Sequence, residues 1–318
     1  MAIRRIWIFT ATQRGQREVS RRRRPSVLFS GAAVLGTVFS FAAAGGGSAA
    51  MAVVPVIAHA PRVAVPVPHG IHETWASSNW SGYAESGSFT GVTSTWTVPS
   101  VAASSSNAFS SAWIGVDGFN NNNLIQTGTE EDWYNGSVHY NAWWEILPAA
   151  ETALPSGHPV AAGDRMSASI EETSTAVLVS RHRVAHYWWI TISDTTARWT
   201  FSTYQLYAGP GASAEWVVEA PQVGGSVATL ARYSFGTSNG LGTTTGDFDS
   251  AGVYKAVVTG GTPTPPPAPP TVGAALTASE AGVMVQSNVQ VSTPSNPDRA
   301  ATAYNAAYGA TAPGAPTS

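Results

Sequence analysis

Short apolar runs that stop at turn-forming residues recur along most of this chain, and they constrain its fold more than any other feature. Thr95-Trp96-Thr97-Val98 alternates and ends at Pro99, Ala112-Trp113-Ile114-Gly115-Val116 ends at Asp117-Gly118, and Tyr140 to Leu147 ends at Pro148. Further runs cover Arg165 to Glu171, Ala176 to Arg183, Trp188 to Ser193, Thr200 to Tyr204, Glu215 to Glu219 and Tyr254 to Val258. Alternate side chains of a strand face opposite sides of a sheet, so a period near two between Pro, Gly and Asp marks strands. No long stretch has helical periodicity. Many short strands in series predict an all-β sandwich or barrel.

The chain has the material for such a core. Of its 318 residues 43% are hydrophobic and only 11% charged, with twelve Trp, ten Tyr and ten Phe. There is no cysteine, which excludes a thiol nucleophile, a thiolate metal site and disulfides, so packing of large aromatic side chains must carry stability.

Charge is unevenly placed. Eight of the sixteen Lys and Arg residues lie between Arg4 and Arg24, where Glu18 is the one acid, so from Val53 onward the net charge is near −10. A body of that charge repels nucleic acid and anionic membranes, so neither is expected as a partner; it approaches neutrality only in acid. The basic cluster precedes an apolar stretch from Val27 to Ala44, small residues Gly45 to Ala50, and Ala50-Met51-Ala52, which is the order of a secretory signal. Residues 1–52 are expected to be such a signal, giving an extracellular, monomeric protein with no stable membrane association once it is removed. Interruption by Ser30, Gly31, Gly36 and Ser40 leaves that stretch marginal as a membrane anchor.

Residues 53–76 carry Pro55, Pro61, Pro66 and Pro68 among valines. Proline at this density forbids a helix and disfavours a central strand, so an extended leader or propeptide is expected, with structure starting near Ser77. A second proline-rich segment, residues 262–270, has two readings. It is an insertion before the last strands of one domain spanning 77–309, or a linker to a disordered tail. The strand-like Gly282-Val283-Met284-Val285-Gln286 favours the insertion, with residues 310–318 as tail.

Exclusion narrows the chemistry. His72-Glu73 is followed by Thr74, Trp75 and Ala76, so the HExxH zinc pattern fails; no GxSxG elbow exists; and Asp249-Ser250 is followed by Ala251, so the Asp-Ser-Gly or Asp-Thr-Gly pair of aspartic proteases is missing. Two segments instead place one reactive polar side chain in an apolar run: Leu124-Ile125-Gln126-Thr127-Gly128 and Ser213-Ala214-Glu215-Trp216-Val217-Val218-Glu219. A glutamate can move a proton to and from water, and a glutamine amide can donate to an oxyanion. Alternation puts Glu215, Val217 and Glu219 on one face and Trp216 and Val218 on the other.

Five segments together resemble the glutamic peptidases, the G1 or eqolisin family, in its bacterial form: Ser78-Asn79-Trp80-Ser81-Gly82-Tyr83, Ala112 to Gly118, Leu124 to Gly128, Ala142-Trp143-Trp144-Glu145, and Ala214 to Glu219. Val291 to Ser295 and Ala307-Tyr308-Gly309 extend the likeness. The resemblance implies a concanavalin-like β-sandwich of two antiparallel sheets, and a secreted, acid-acting, metal-independent endopeptidase that needs no cofactor and takes protein or peptide substrates. Gln126 and Glu215 are then the catalytic pair, Glu215 as base and acid on water and Gln126 as oxyanion donor. Trp113, Asp117 and Glu145 match positions lining the cleft. Two departures stand out: the absence of cysteine, and the extra acids of Thr129-Glu130-Glu131-Asp132.

Two other functions use the same residues. A glycoside hydrolase on this type of sandwich would pair Glu145 with Glu215 at about 5 Å and stack sugars on Trp113, Trp143 and Trp144. A noncatalytic carbohydrate-binding module would use the aromatics alone.

Overall fold

A computed structural model describes residues 54–71, 73–180, 183–234, 248–249, 280–299 and 302–316. The expected signal, the strand at Tyr254 to Val258 and the proline-rich segment 262–270 lie outside the described residues.

The strands are β1 (Ile57–Ala58), β2 (Ala64–Val65), β3 (Trp75–Ser77), β4 (Trp80–Ser86), β5 (Gly91–Thr97), β6 (Ser100–Val101), β7 (Ser111–Val116), β8 (Ile125–Tyr134), β9 (Ser137–Ile146), β10 (Thr152–Ala153) and β11 (Arg165–Ser180). They continue with β12 (Arg183–Asp194), β13 (Trp199–Tyr207), β14 (Ser213–Glu219), β15 (Gln222–Val223), β16 (Ser226–Val227), β17 (Tyr233–Ser234), β18 (Phe248–Asp249), β19 (Ala281–Gln286), β20 (Val289–Pro294), β21 (Ala303–Tyr304) and β22 (Ala306–Tyr308). No α-helix occurs among the described residues, and none of them forms a helix long and apolar enough to cross a membrane.

Two sheets dominate. The larger runs β10-β9-β8-β7-β14-β4-β19-β20-β22, with β3 beside β19 and β2 beside β3; the smaller runs β13-β12-β11-β5-β18-β21. Every pairing of these strands is antiparallel except β3 with β19. The expected β-sandwich is thus present.

Its core lies between the sheets. Tyr83, Ile114, Val116, Ile125, Trp216 and Val218 of the larger sheet meet Val92, Trp96, Met166, Ile170, Trp188 and Ile190 of the smaller one. Burying each large apolar side chain contributes roughly 1.5–3 kcal/mol, which is how a chain without disulfides holds together. The ring nitrogens that burial would orphan are satisfied across the gap: Trp96 Nε1 donates to Thr129 Oγ1 at 3.0 Å, and Trp216 Nε1 to the Thr93 carbonyl at 3.0 Å. The opposite face of the larger sheet carries a second cluster, with Trp80, Trp113, Leu124, Trp143 and Val217 at its centre. Alternation along β14 is therefore as expected, with Trp216 and Val218 in one cluster and Val217 in the other.

Two details differ from the sequence reading. Residues 165–171 and 176–183 belong largely to one strand, β11, whose register against β12 shifts between Glu172 and Ala176. An irregularity that moves side chains to the other face breaks a period-two pattern in sequence without ending the strand. Pairing also begins well before Ser77: β1 pairs β15, and β2 pairs β3.

Candidate active site

Sheet register assembles the site. Glu145 lies opposite Gln126, Gln126 opposite Gly115, Gly115 opposite Glu215, and Glu215 opposite Ala84. These residues form one row across β9, β8, β7, β14 and β4, on the face away from the sandwich core. At the usual strand spacing the Gln126 and Glu215 backbones are about 10 Å apart, a gap that two long side chains leaning inward can close around one small molecule. Gly115 between them adds no side chain. A Cβ there would stand 2.8 Å from Trp113 Cζ3 and 3.0 Å from Leu124 Cδ1, so those two side chains already fill the position a larger residue would take.

The dyad is fully buried, and part of its polar surface has no protein partner. Gln126 Oε1 lacks a hydrogen-bond partner among the described residues, and neither Glu215 carboxylate oxygen has one of ordinary geometry there, the Ser213 hydroxyl being close enough to act on the carboxylate but not aligned for a regular bond. Buried polar atoms are nearly always paired, so unpartnered ones on a site-bearing face mark where a reacting molecule belongs. Burial pushes the Glu215 carboxyl well above the usual carboxylate range; the Ser213 hydroxyl offsets part of this, and the charge of Asp117 adds to it. Gln126 Nε2 donates to Glu145 Oε2 at 2.6 Å. Glu145 is itself pushed up to about 7, chiefly by burial, against the opposing pull of His59 and of the Gln126 bond.

Asp117 sits at the turn after β7, at φ 73°. Its Oδ2 accepts from Tyr207 Oη at 2.7 Å and Gly211 N at 2.9 Å, and its Oδ1 from Ala212 N at 2.8 Å and Asn121 Nδ2 at 2.9 Å. Both oxygens are committed to tying the β7–β8 turn to the loop that feeds β14. Trp113 is fully buried, edge-on to Trp80 at 4.9 Å, and its Nε1 donates to Glu219 Oε2 at 2.8 Å.

Four residues along each strand, two repeats of the pleat, Glu219, Ser111 and Glu130 form a second polar row. His59, from the leader, enters it. Its Nδ1 is 2.9 Å from Glu219 Oε2, and its Nε2 is 2.9 Å from Glu130 Oε1 and 3.3 Å from Glu151 Oε2. The ring stacks on Trp143 with centroids 3.7 Å apart. Burial works against the charged imidazole, but the charge of Glu219 and the contacts with Glu130, Glu151 and Glu219 outweigh it and raise its pKa well above the usual value. His59, Glu130 and Glu151 are the one set among the described residues with metal-ligand chemistry, their donor atoms within 4.8 Å of one another, and here these atoms engage each other directly. Glu130 is pushed up to about 8 by burial, with His59 pulling the other way. The extra acids of residues 130–132 signalled this nest in sequence; nothing signalled that a histidine some 70 residues upstream fills it.

The fold is an antiparallel β-sandwich whose larger sheet carries a buried polar row on its outer face, the frame of a candidate hydrolytic site. Residues 78–260 match the Peptidase A4 family, and the chain belongs to that family, the glutamic peptidases. It is similar to scytalidopepsin B of Scytalidium lignicola, 38% identical over 104 residues, covering 32% of this chain and 38% of that protein. To aspergillopepsin-2 of Aspergillus niger it is 28% identical over 198 residues, covering 54% of this chain and 65% of that one. The matched stretches thus span less than two thirds of either relative. Among solved structures, scytalido-glutamic peptidase has the same fold, with a TM-score of 0.52 at 21% identity over 73% of this chain and 98% of that one.

Proposed function

We propose that the protein is an exported endopeptidase that hydrolyses protein and peptide substrates with Gln126 and Glu215 acting on one water. The observation that carries this reading is the row in which a side-chain-free Gly115 separates two buried residues with polar atoms that make no regular bond to protein. Ionised Glu215 takes a proton from the water as it attacks the scissile carbonyl. The Gln126 amide donates to the developing oxyanion, an interaction commonly worth about 2.7–4 kcal/mol. Glu215 then returns the proton to the departing nitrogen. Trp113 and Glu145 support the pair, Trp113 by walling the cleft and Glu145 by orienting the Gln126 amide, while Asp117 holds the two loops in front of Glu215.

Burial favours the protonated form of Glu215, which suits the second step; the first needs it ionised, so substrate and water must relieve its desolvation. The arrangement fits a glycosidase poorly. Glu145 and Glu215 are three strand spacings apart, about 14 Å between backbones, with Gln126 between them and bonded to Glu145. Export and extracellular action agree with the basic-then-apolar N-terminus and the acidic body.

The test is incubation of the protein with a denatured protein at pH 3–4, reading new N-termini by mass spectrometry, with a chelator and an aspartic-protease inhibitor as parallel arms. Cleavage that neither agent reduces supports the reading. Absence of cleavage, or its loss with the chelator, contradicts it.

A further inference from the structure

Ser213 stands two residues before Glu215 on β14, so alternation puts the two side chains on one face of the larger sheet, about 7 Å apart along the strand. Its backbone is pinned on both sides. Ser213 pairs with Ser86 of β4, and its carbonyl accepts from Asp117 N at 2.9 Å. The side chain is left over: the residue is 1% exposed, and its Oγ makes no hydrogen bond of regular geometry among the described residues. Asp117 does not claim it, since four other donors, on Tyr207, Gly211, Ala212 and Asn121, already occupy both carboxylate oxygens. Glu215 is what remains. Its oxygens are buried and without a regular partner as well, and the Ser213 hydroxyl lies close enough to favour the ionised carboxylate. Buried polar atoms rarely stay unpaired, and catalytic bonds often align only when substrate arrives, so an orphaned hydroxyl beside an orphaned carboxylate marks a bond made while the site works.

We propose that Ser213 is the positioning residue for Glu215: its hydroxyl donates to the carboxylate while the water is activated, and turns to accept from the carboxyl once Glu215 holds the proton. This rests on the peptidase reading for its consequence but not for its geometry. A hydroxyl can serve both states because it carries one donor and two lone pairs on a rotating bond, whereas a backbone N–H could serve only the first. The proton passes from water to Glu215 and on to the departing nitrogen, and Ser213 neither gains nor loses one. By donating, Ser213 also works against the burial that disfavours the ionised base. The charged groups around Glu215 do not do this. Asp117 opposes its ionisation, Glu219 on the same strand holds Trp113 and His59, and Glu145 lies beyond Gln126 and bonded to it. The neighbouring strands β7 and β4 place only Gly115 and Ala84 opposite it.

The experiment uses the full chain, isotope-labelled at the glutamate carboxyl carbons, with the Glu215 resonance assigned by its loss in Glu215→Gln. Its titration is followed by NMR in wild type, Ser213→Ala and Ser213→Thr, with folding verified by melting temperature, and kcat/KM on a fluorogenic peptide is measured over the same pH range. In Ser213→Ala the Glu215 midpoint is expected to rise by about one pH unit or more, and kcat/KM on the acid side to fall about tenfold, because the ionised base has lost its donor. Ser213→Thr keeps the hydroxyl and is expected to titrate with the wild type. A merely structural serine would alter the melting temperature or the active fraction, and neither moves a midpoint. An unmoved midpoint in Ser213→Ala overturns the proposal, and so does a Ser213→Thr that titrates with Ser213→Ala. Hydrolysis separates the two proposals. A moved midpoint with no hydrolysis by any form leaves the Ser213–Glu215 bond standing and removes the peptidase, whereas hydrolysis with an unmoved midpoint removes the bond and leaves the peptidase.

Discussion

Gln126 Nε2 and Glu145 Oε2 are joined by a 2.6 Å hydrogen bond inside the cleft wall, between two residues directly opposite each other on β8 and β9. This contact fixes one hydrogen of the Gln126 amide and so decides where the other points. In Glu145→Ala the acceptor is gone, and the Gln126 amide is free to turn. Burial, which pushes Glu145 up to about 7, keeps it protonated in acid, so this is a bond between neutral groups worth about 0.5–1.5 kcal/mol, and kcat is expected to fall by roughly 2- to 10-fold with KM little changed. Steady-state kinetics on a fluorogenic peptide checks this; a rise in KM alone would place Glu145 on the substrate instead.

Asp117 accepts four hydrogen bonds, two of them from the backbone of Gly211 and Ala212. Asp117→Ala leaves buried donors without partners, at about 1–3 kcal/mol each. Thermal unfolding is expected to drop by about 5 °C or more. An unchanged melting temperature with a raised KM would mean that the carboxylate meets the substrate.

Stability is expected to rise as pH falls from about 8 to 4.5. Glu130 is pushed up to about 8 and Glu145 to about 7, chiefly by burial, so between the unfolded value of 4.5 and those values the folded chain holds more protons than the unfolded one. His59, raised well above 6.5, acts in the same direction: its contribution is complete below 6.5 and is lost as pH rises through the folded value. The melting temperature is therefore expected to be several degrees higher at pH 4.5 than at pH 8, as measured by calorimetry at about those two values. A melting temperature that rises with pH would refute the buried-carboxylate arrangement.

Gly128 admits no side chain, because a Cβ there would lie 2.4 Å from the Ala112 carbonyl oxygen and 2.4 Å from Trp113 Cβ. Backbone cannot yield as a side-chain tip can, so Gly128→Ala is expected to cost about 1–3 kcal/mol through overpacking and to displace Trp113. Denaturant unfolding gives the number.

The strands that position the dyad were legible because β7 and β14 have their alternate faces filled by different chemistry and end at turn residues. Glu219 could be placed beside Glu215 by counting in twos. The leader was not legible. Its prolines hide any periodicity, and β1 finds its partner in Gln222–Val223, more than 160 residues away, so no local pattern records the pairing. Asp117 reads in sequence as a cleft residue or a turn residue with equal ease, because its role depends on donors from residues 207–212. The split reading of β11 had a local cause, the register shift after Glu172.

The most direct measurement is peptide hydrolysis in acid by leader-free wild type, Glu215→Gln and Gln126→Ala, with folding verified by melting temperature. Glu215→Gln is expected to abolish turnover, since an amide cannot accept and return the proton. Gln126→Ala is expected to lower kcat by about 100- to 1,000-fold. Wild-type rates in a folded Glu215→Gln would show that another group carries the proton.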